Sequence, residues 1–164
     1  VFNGAVGALT TQKPLKANVG ETVRIFFGVG GPNLTSSFHV IGEIFDRVYD
    51  QASLTGAPLT DVQTTLVPPG GATMVEFDLE VPGNYILVDH ALSRLHRGLA
   101  GYLIVEGPDA PEIFNGTPSP GSDHQNQKHR ILTSKHIKND LPNLSSSRSF
   151  FVRIATKIPT KVGA

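Results

Sequence analysis

Short runs of β-branched and aromatic residues, separated by glycine and proline, fill the chain up to about residue 108. In residues 73–79, Val75, Phe77 and Leu79 share one side of an extended chain, the period of a strand with one buried face. The pattern predicts strands over residues 22–29, 36–41, 62–67, 73–79, 84–88 and 101–105. Turns are expected at residues 18–20, 30–33, 68–71 and 81–83, where glycine allows positive φ and proline ends strand pairing. This part of the chain is therefore predicted to be all-β, with the strand spacing of a sandwich.

A single short helix is predicted over residues 91–97, closed by Gly98. Leu92 and Leu95 stand three residues apart and would face inward. The chain has 164 residues, of which 39% are hydrophobic, enough for one core but hardly two.

The chain changes character from Asp109, with a proline-rich stretch up to Gly121 and a polar stretch after it. We divide it into a domain of residues 1–111 and a linker with a low-order basic tail of residues 112–164. Six basic and ten acidic residues give a net charge of −4 through Pro108, and eight basic against four acidic residues give +4 from Asp109 onward. Residues 148–154 could be strand-like, but alone they would not repay their ordering entropy. The tail lacks the interleaved aromatics of a stacking platform, so no nucleic-acid partner is expected.

Cysteine is absent from the sequence, which excludes disulfides, thiolate zinc sites, iron–sulfur clusters and a blue-copper centre within this chain. No apolar run is long enough to span a membrane. The chain opens on Val1 without a charged signal region, and we expect such a start to be the inside of a larger protein.

Two histidines stand in strand-like contexts, His39 within the strand at 36–41 and His90 at the end of the strand at 84–88. A polar ring in an apolar strand needs a partner or a function, and histidine serves both metal binding and proton transfer. From the residues alone, the favoured interpretation of His39 is a core histidine bonded to a backbone carbonyl, and that of His90 is a residue that ends a strand and hydrogen-bonds locally. The tail histidines, at positions 124, 129 and 136, have the irregular spacing of ordinary surface residues.

Four segments carry a resemblance: residues 1–9 (VFNGAVGAL), 30–34 (GGPNL), 37–42 (SFHVIG) and 87–90 (LVDH). Together with the closing stretch 101–107, they resemble the second, C-terminal cupredoxin domain of the copper-containing nitrite reductases. The resemblance implies a cupredoxin-like Greek-key β-sandwich with a short helix and a poorly structured C-terminal tail. It also implies an enzyme of two such domains per subunit and three subunits per ring, with a type 2 copper between neighbouring subunits.

The resemblance assigns a role to each of five residues. His90 would be the copper ligand that this domain supplies, and His39 the histidine that holds a water near the substrate and delivers protons. Thr64 would hydrogen-bond that histidine and fix its tautomer. Gln63 stands where relatives can carry glutamate, so it could relay a water but not titrate. Ile41 would crowd the open side of the copper and steer nitrite, although sandwich packing alone would also explain Ile41 and Thr64.

The parts that the resemblance places in a first domain are missing, namely the type 1 copper with its cysteine, two type 2 ligands and a catalytic aspartate. One imidazole cannot hold copper tightly, so this chain alone is expected not to reduce nitrite to nitric oxide. The implied partners are nitrite, the first cupredoxin domains of the same and neighbouring subunits in a homotrimer, and an external electron donor. A periplasmic location is implied by the family only.

Two other functions are open. The chain could be a cupredoxin-like assembly domain that presents a trimer interface without chemistry. It could also be a domain of a multicopper oxidase, but that enzyme type needs His-x-His pairs and a His-Cys-His element, which this sequence lacks.

Overall fold

A computed structural model of the chain describes residues 1–115 and the backbone of residues 150–156. These residues form ten strands: β1 Leu15–Asn18, β2 Thr22–Val29, β3 Ser36–Ile41, β4 Phe45–Tyr49, β5 Leu59–Val62, β6 Thr65–Val67, β7 Ala72–Asp78, β8 Gly83–Asp89, β9 Ala100–Glu106 and β10 Phe150–Thr156. By its contacts the chain divides into one unit of Val1–Ala110 with Ser147–Ala164 and a second unit of Pro111–Ser146. Every described strand belongs to the first unit. Of the second unit, residues 111–115 are described, and they are exposed.

The strands form two five-stranded sheets, in the order β1-β9-β8-β3-β6 and the order β10-β2-β7-β4-β5. Among the described strand pairs, β1 and β9 run parallel to each other and the others are antiparallel. Aromatic side chains join the two sheets, since Phe27 of β2 stacks on Phe38 of β3 with ring centroids 4.1 Å apart. Phe38 also stacks on Phe45 of β4 at 5.7 Å. All three rings are essentially inaccessible to solvent, so the core of a β-sandwich lies between the sheets.

Most of the sequence predictions for strands are confirmed. β2 and β3 have the predicted bounds, and β7, β8 and β9 differ from them by one residue at each end. The predicted strand over residues 62–67 is instead divided between two strands. β5 pairs with β4 in one sheet, and the chain then crosses to the other sheet, where β6 pairs with β3. Asp61 has a positive φ of 57°, which breaks a continuous extended run there. Gln63 and Thr64 therefore lie where the chain crosses from one sheet to the other.

The predicted helix over residues 91–97 is wrong in length, because only Leu95–Arg97 forms one 3₁₀ turn. Gly98 ends it in the left-handed region at φ 94°, as the sequence indicated. Leu92 is 44% exposed, so the prediction that it faces inward is wrong, whereas Leu95 is half-buried. Among the described residues, no helix has the length and apolar character needed to cross a bilayer.

β10 belongs to the segment that the sequence predicted to remain without a partner, and that prediction is wrong. It pairs antiparallel with β2 over seven residues, from Phe150 opposite Val29 to Thr156 opposite Val23. The reason is that β2 would otherwise be an edge strand, whose free N–H and C=O groups accept a further strand. Residues 116–149 and 157–164 lie outside the described part of the chain. The prediction of little fixed structure falls on these residues and stays a prediction. The division into residues 1–111 and 112–164 stays a prediction.

Candidate metal and proton-transfer site

His39 is held inside the sheet at a defined orientation. It lies on β3, which pairs with β8 on one side and β6 on the other, and it is 6% exposed. Its Nδ1 is 2.6 Å from the backbone carbonyl oxygen of Gln63. Because a carbonyl can only accept, Nδ1 must carry the hydrogen, and Nε2 of the neutral ring keeps its lone pair. The crossing between β5 and β6 supplies this carbonyl.

His90 follows directly on β8, with an exposed side chain. Its backbone N–H donates to the carbonyl of Ser37 at 2.8 Å, which continues the pairing of β8 with β3 by one residue. Its ring centroid lies 5.6 Å from that of His39, and the ring planes are 43° apart. The backbone of His90 is thus fixed by the sheet, and its ring lies beside that of His39 facing solvent.

A buried ion pair holds the turn that follows His90. Asp89 is 1% exposed, and its Oδ1 accepts the N–H of Ala91 at 3.0 Å. The same carboxylate pairs with Arg94, whose Nη1 also donates to the carbonyl of Thr35 at 2.8 Å. Asp89 therefore does not bond the His90 ring, in agreement with strand alternation. Arg94 was not predicted from the sequence, where its signal is a cation five residues after a carboxylate at the end of a buried strand.

The structure brings His39, His90 and the backbone of Gln63 together. The Gln63 side chain is exposed, and Ile41 is 42% exposed on the same face of β3 as His39. Thr64 is half-buried, and its hydroxyl forms no hydrogen bond with another described residue. The predicted roles of the Gln63 side chain, Ile41 and Thr64 stay predictions.

A second titratable group lies in the turn after β3. The pKa of Glu43 is raised to about 7, chiefly by burial; a hydrogen bond with Tyr85 opposes the rise, and the negative charges of Asp46 and Glu80 add to it. Burial and the neighbouring Glu43 raise the pKa of Tyr85 to about 12. The Tyr85 hydroxyl donates to the carbonyl of Val81 at 2.7 Å. The carboxyl group of Glu43 therefore changes charge near neutral pH.

The histidines fit a metal site that is only partly built by this chain. Within the described part of the chain, no three His, Asp or Glu side chains are grouped so as to hold a metal ion. Two imidazoles are nonetheless suitable donors for copper and zinc. A complete site would need ligands from another polypeptide region.

Comparison with known proteins agrees with the resemblance. No family model matches the chain. It is 54% identical over 117 residues to a copper-containing nitrite reductase of Neisseria meningitidis, covering 70% of this chain and 29% of that protein. A copper-containing nitrite reductase of Cereibacter sphaeroides is 39% identical over 121 residues, a match that covers 73% of this chain and 32% of that protein. The copper nitrite reductase structure from Nitrosomonas europaea matches with a TM-score of 0.52 and 34% identity, covering 60% of this chain and 34% of that one.

These similarities confirm both the resemblance and the all-β, cupredoxin-like fold. The chain is thus a homologue of the copper-containing nitrite reductases that spans about a third of the length of the curated relatives it matches.

Proposed function

We propose that this chain forms part of an enzyme that reduces nitrite to nitric oxide at a type 2 copper shared between subunits. In that enzyme it would be the second cupredoxin domain. The observation that carries the proposal is the pair of imidazoles, one buried with a fixed tautomer and one exposed, 5.6 Å apart. The homology to copper-containing nitrite reductases supports the choice of metal and substrate.

His90 would be the copper ligand. Its ring is exposed while its backbone is held by Ser37, so it can reach an ion that lies beyond the surface of this domain without losing its position. When bound, copper would supply the binding position for nitrite and pass on the electron.

His39 would handle protons. Reduction of nitrite to nitric oxide consumes one electron and two protons and releases water, so a group that exchanges protons near neutral pH is required. With Nδ1–H donated to the Gln63 carbonyl, Nε2 is the atom that can take a proton from water and donate it to a nitrite oxygen. The Gln63 amide could hold a water on this route, and the Thr64 hydroxyl could stabilise the ring orientation. Ile41 would limit the space above the bound nitrite.

The rest of the enzyme would come from elsewhere. The proposed first cupredoxin domain would bring the type 1 copper and the other two type 2 ligands, in the same and the neighbouring subunits of a homotrimer. An external donor would provide electrons, and the process would be denitrification in the periplasm. The chain's coverage of about a third of its relatives supports this division.

A chimera tests the proposal. This chain would replace the matched segment of the Neisseria meningitidis protein, to which it is 54% identical. We expect copper-dependent nitrite turnover that is lost in both His39→Ala and His90→Ala, with the oligomeric state unchanged. If instead the variants lose only the trimer, or turnover is unaffected, the chain is an assembly domain and the catalytic proposal is wrong.

A further inference from the structure

We propose that Asp89 is a positioning residue for His90. Its buried carboxylate fixes the backbone around His90 and so sets where the exposed ring stands. The inference rests on the proposed function for the role of His90 as a ligand. It goes beyond that function, which gives Asp89 no part.

The Asp89 carboxylate takes the place of a backbone partner at the end of the β3–β8 pair. Two antiparallel residues in a hydrogen-bonded pair each accept the N–H of the other. The N–H of His90 donates to the carbonyl of Ser37 at 2.8 Å. The N–H of Ser37, however, donates to Oδ1 of Asp89 at 3.4 Å. The side chain of Asp89 therefore completes the pairing at this position, where the chain leaves the sheet with His90.

The same oxygen atom closes a turn around His90. Oδ1 of Asp89 accepts the N–H of Ala91 at 3.0 Å. A bond from an aspartate side chain to the N–H two residues later forms an Asx turn, and His90 is the middle residue of this one. His90 is thus held by its own bond to Ser37 and by the turn that encloses it, which together restrict the backbone angles that direct its ring.

The carboxylate can act in this way because it is itself held in place. It is 1% exposed and pairs with Arg94, whose Nη1 also donates to the carbonyl of Thr35 at 2.8 Å. A buried charge is costly to separate from its partner, so the carboxylate has few other positions. Thr35 directly precedes β3, which ties the turn around His90 to the strand that carries His39. Such precision matters, since about 1 Å of misplacement at a reacting centre can lower a rate by roughly a hundredfold.

Amide hydrogen exchange in the full-length chain tests the positioning without copper. In the native chain the N–H of Ala91, an exposed residue beyond the end of β8, should exchange about tenfold or more slowly than an unprotected amide. Asp89→Ala should remove that protection and speed exchange at His90 by more than the loss of global stability explains. Glu76→Ala is the matched control, because it removes another buried carboxylate with an arginine partner, in the other sheet. An Ala91 amide that exchanges freely in the native chain would overturn the proposal even if Asp89→Ala does not fold.

The chimera adds a readout at the metal. We expect Asp89→Ala to weaken copper binding at the type 2 site by about tenfold or more and to change the EPR hyperfine splitting of that copper. Asp89→Asn keeps an acceptor for the N–H of Ala91 and should restore most of both. Glu76→Ala should leave copper affinity within about twofold and the splitting unchanged.

The outcomes separate the two proposals. If Asp89→Ala and Glu76→Ala have equal effects on copper and on exchange at His90, the carboxylate only stabilises the fold and the positioning role is wrong, while a chimera that reduces nitrite keeps the proposed function. A chimera without turnover would instead overturn the proposed function. Slow exchange at Ala91 that Asp89→Ala removes would still support the hold of Asp89 on the backbone around His90.

Discussion

The imidazoles of His39 and His90 lie side by side although one is buried in the middle of a strand and the other stands exposed beyond the end of a strand. Adjacent pairing of β3 and β8 produces this arrangement, since Phe38 lies opposite Asp89 and the Ser37 carbonyl accepts the N–H of His90. A ring held by a backbone carbonyl and a ring free to reach outward are what the proposed metal and proton-transfer site would need from one of its two halves.

The buried Asp89–Arg94 pair should be important for stability. We expect Arg94→Met to lower the free energy of unfolding by about 3 kcal/mol, because it leaves a buried carboxylate without its counter-charge. Asp89→Asn should cost less, since the amide can still accept the N–H of Ala91. Urea denaturation measures both, with Arg97→Met as a control at an exposed arginine in the same loop. Equal stability of Arg94→Met and the parent chain would contradict this account.

Stability should depend on pH through Glu43. Burial raises its pKa from 4.5 to about 7, so between these values the folded state holds a proton that the unfolded state has released. The stabilisation is complete below about pH 4.5 and is lost as the pH rises to about 7. Since the carboxyl is partly exposed, we expect a loss of about 1 kcal/mol.

Glu43→Gln should remove that part of the pH dependence and be the more stable form above pH 7. Denaturation midpoints measured from pH 4 to pH 8 give the comparison, and Glu21→Gln serves as a carboxyl control outside this cluster. A parent chain and Glu43→Gln with parallel pH profiles would show that the carboxyl titrates normally.

Thr64 should act on the reaction through His39. In the complete site of the chimera we propose that the Thr64 hydroxyl bonds His39, a contact that this chain alone does not make. Thr64→Val is then expected to lower nitrite turnover by about tenfold, because that hydroxyl is lost without a change in size. Thr64→Ser should restore most of it. Turnover measured against pH separates this role from packing, since only loss of positioning should also move the pH profile. An unchanged profile in Thr64→Val would assign Thr64 to packing alone.

The pairing of β10 with β2 should protect the β2 edge. We expect Val152→Pro with Arg153→Pro to disrupt the backbone ladder, because alternate N–H groups of a strand point to its neighbour and one of these two is therefore lost. The change should cost about 1 kcal/mol or more and speed amide exchange along β2. Val152→Ala with Arg153→Ala keeps the N–H groups and serves as the control. Exchange rates along β2 that do not differ between the two double variants would contradict the pairing.

How well the sequence predicted the fold depended on how regular each strand is. β2 was found with its bounds because its buried positions alternate along the whole strand. β3 was found because its buried Phe38 and Val40 are two residues apart, although His39 between them is buried as well. β4 was missed because its buried residues, Phe45 and Val48, are three apart and break the period of two. β10 was expected to stay unpaired because no local pattern reveals that β2 offers it a free edge.

The two histidines and the kind of acceptor that His39 needs were predictable, but the residue that supplies this acceptor was not. His39 and His90 stand out as polar rings in strand contexts, and the backbone carbonyl expected as a partner of His39 is that of Gln63. The Gln63 carbonyl reaches His39 because the chain crosses between the two sheets there. The predicted single strand over residues 62–67 did not include this crossing. Every residue has a backbone carbonyl, so the residue types do not show which one makes this contact.

The decisive measurement compares copper-dependent nitrite turnover by this chain alone with turnover by the chimera with the Neisseria meningitidis protein. We expect no turnover from the chain alone, turnover from the chimera, and loss of that turnover in the chimera carrying His90→Ala. Turnover by the isolated chain, or a chimera that reduces nitrite equally well without His90, would contradict the proposed function.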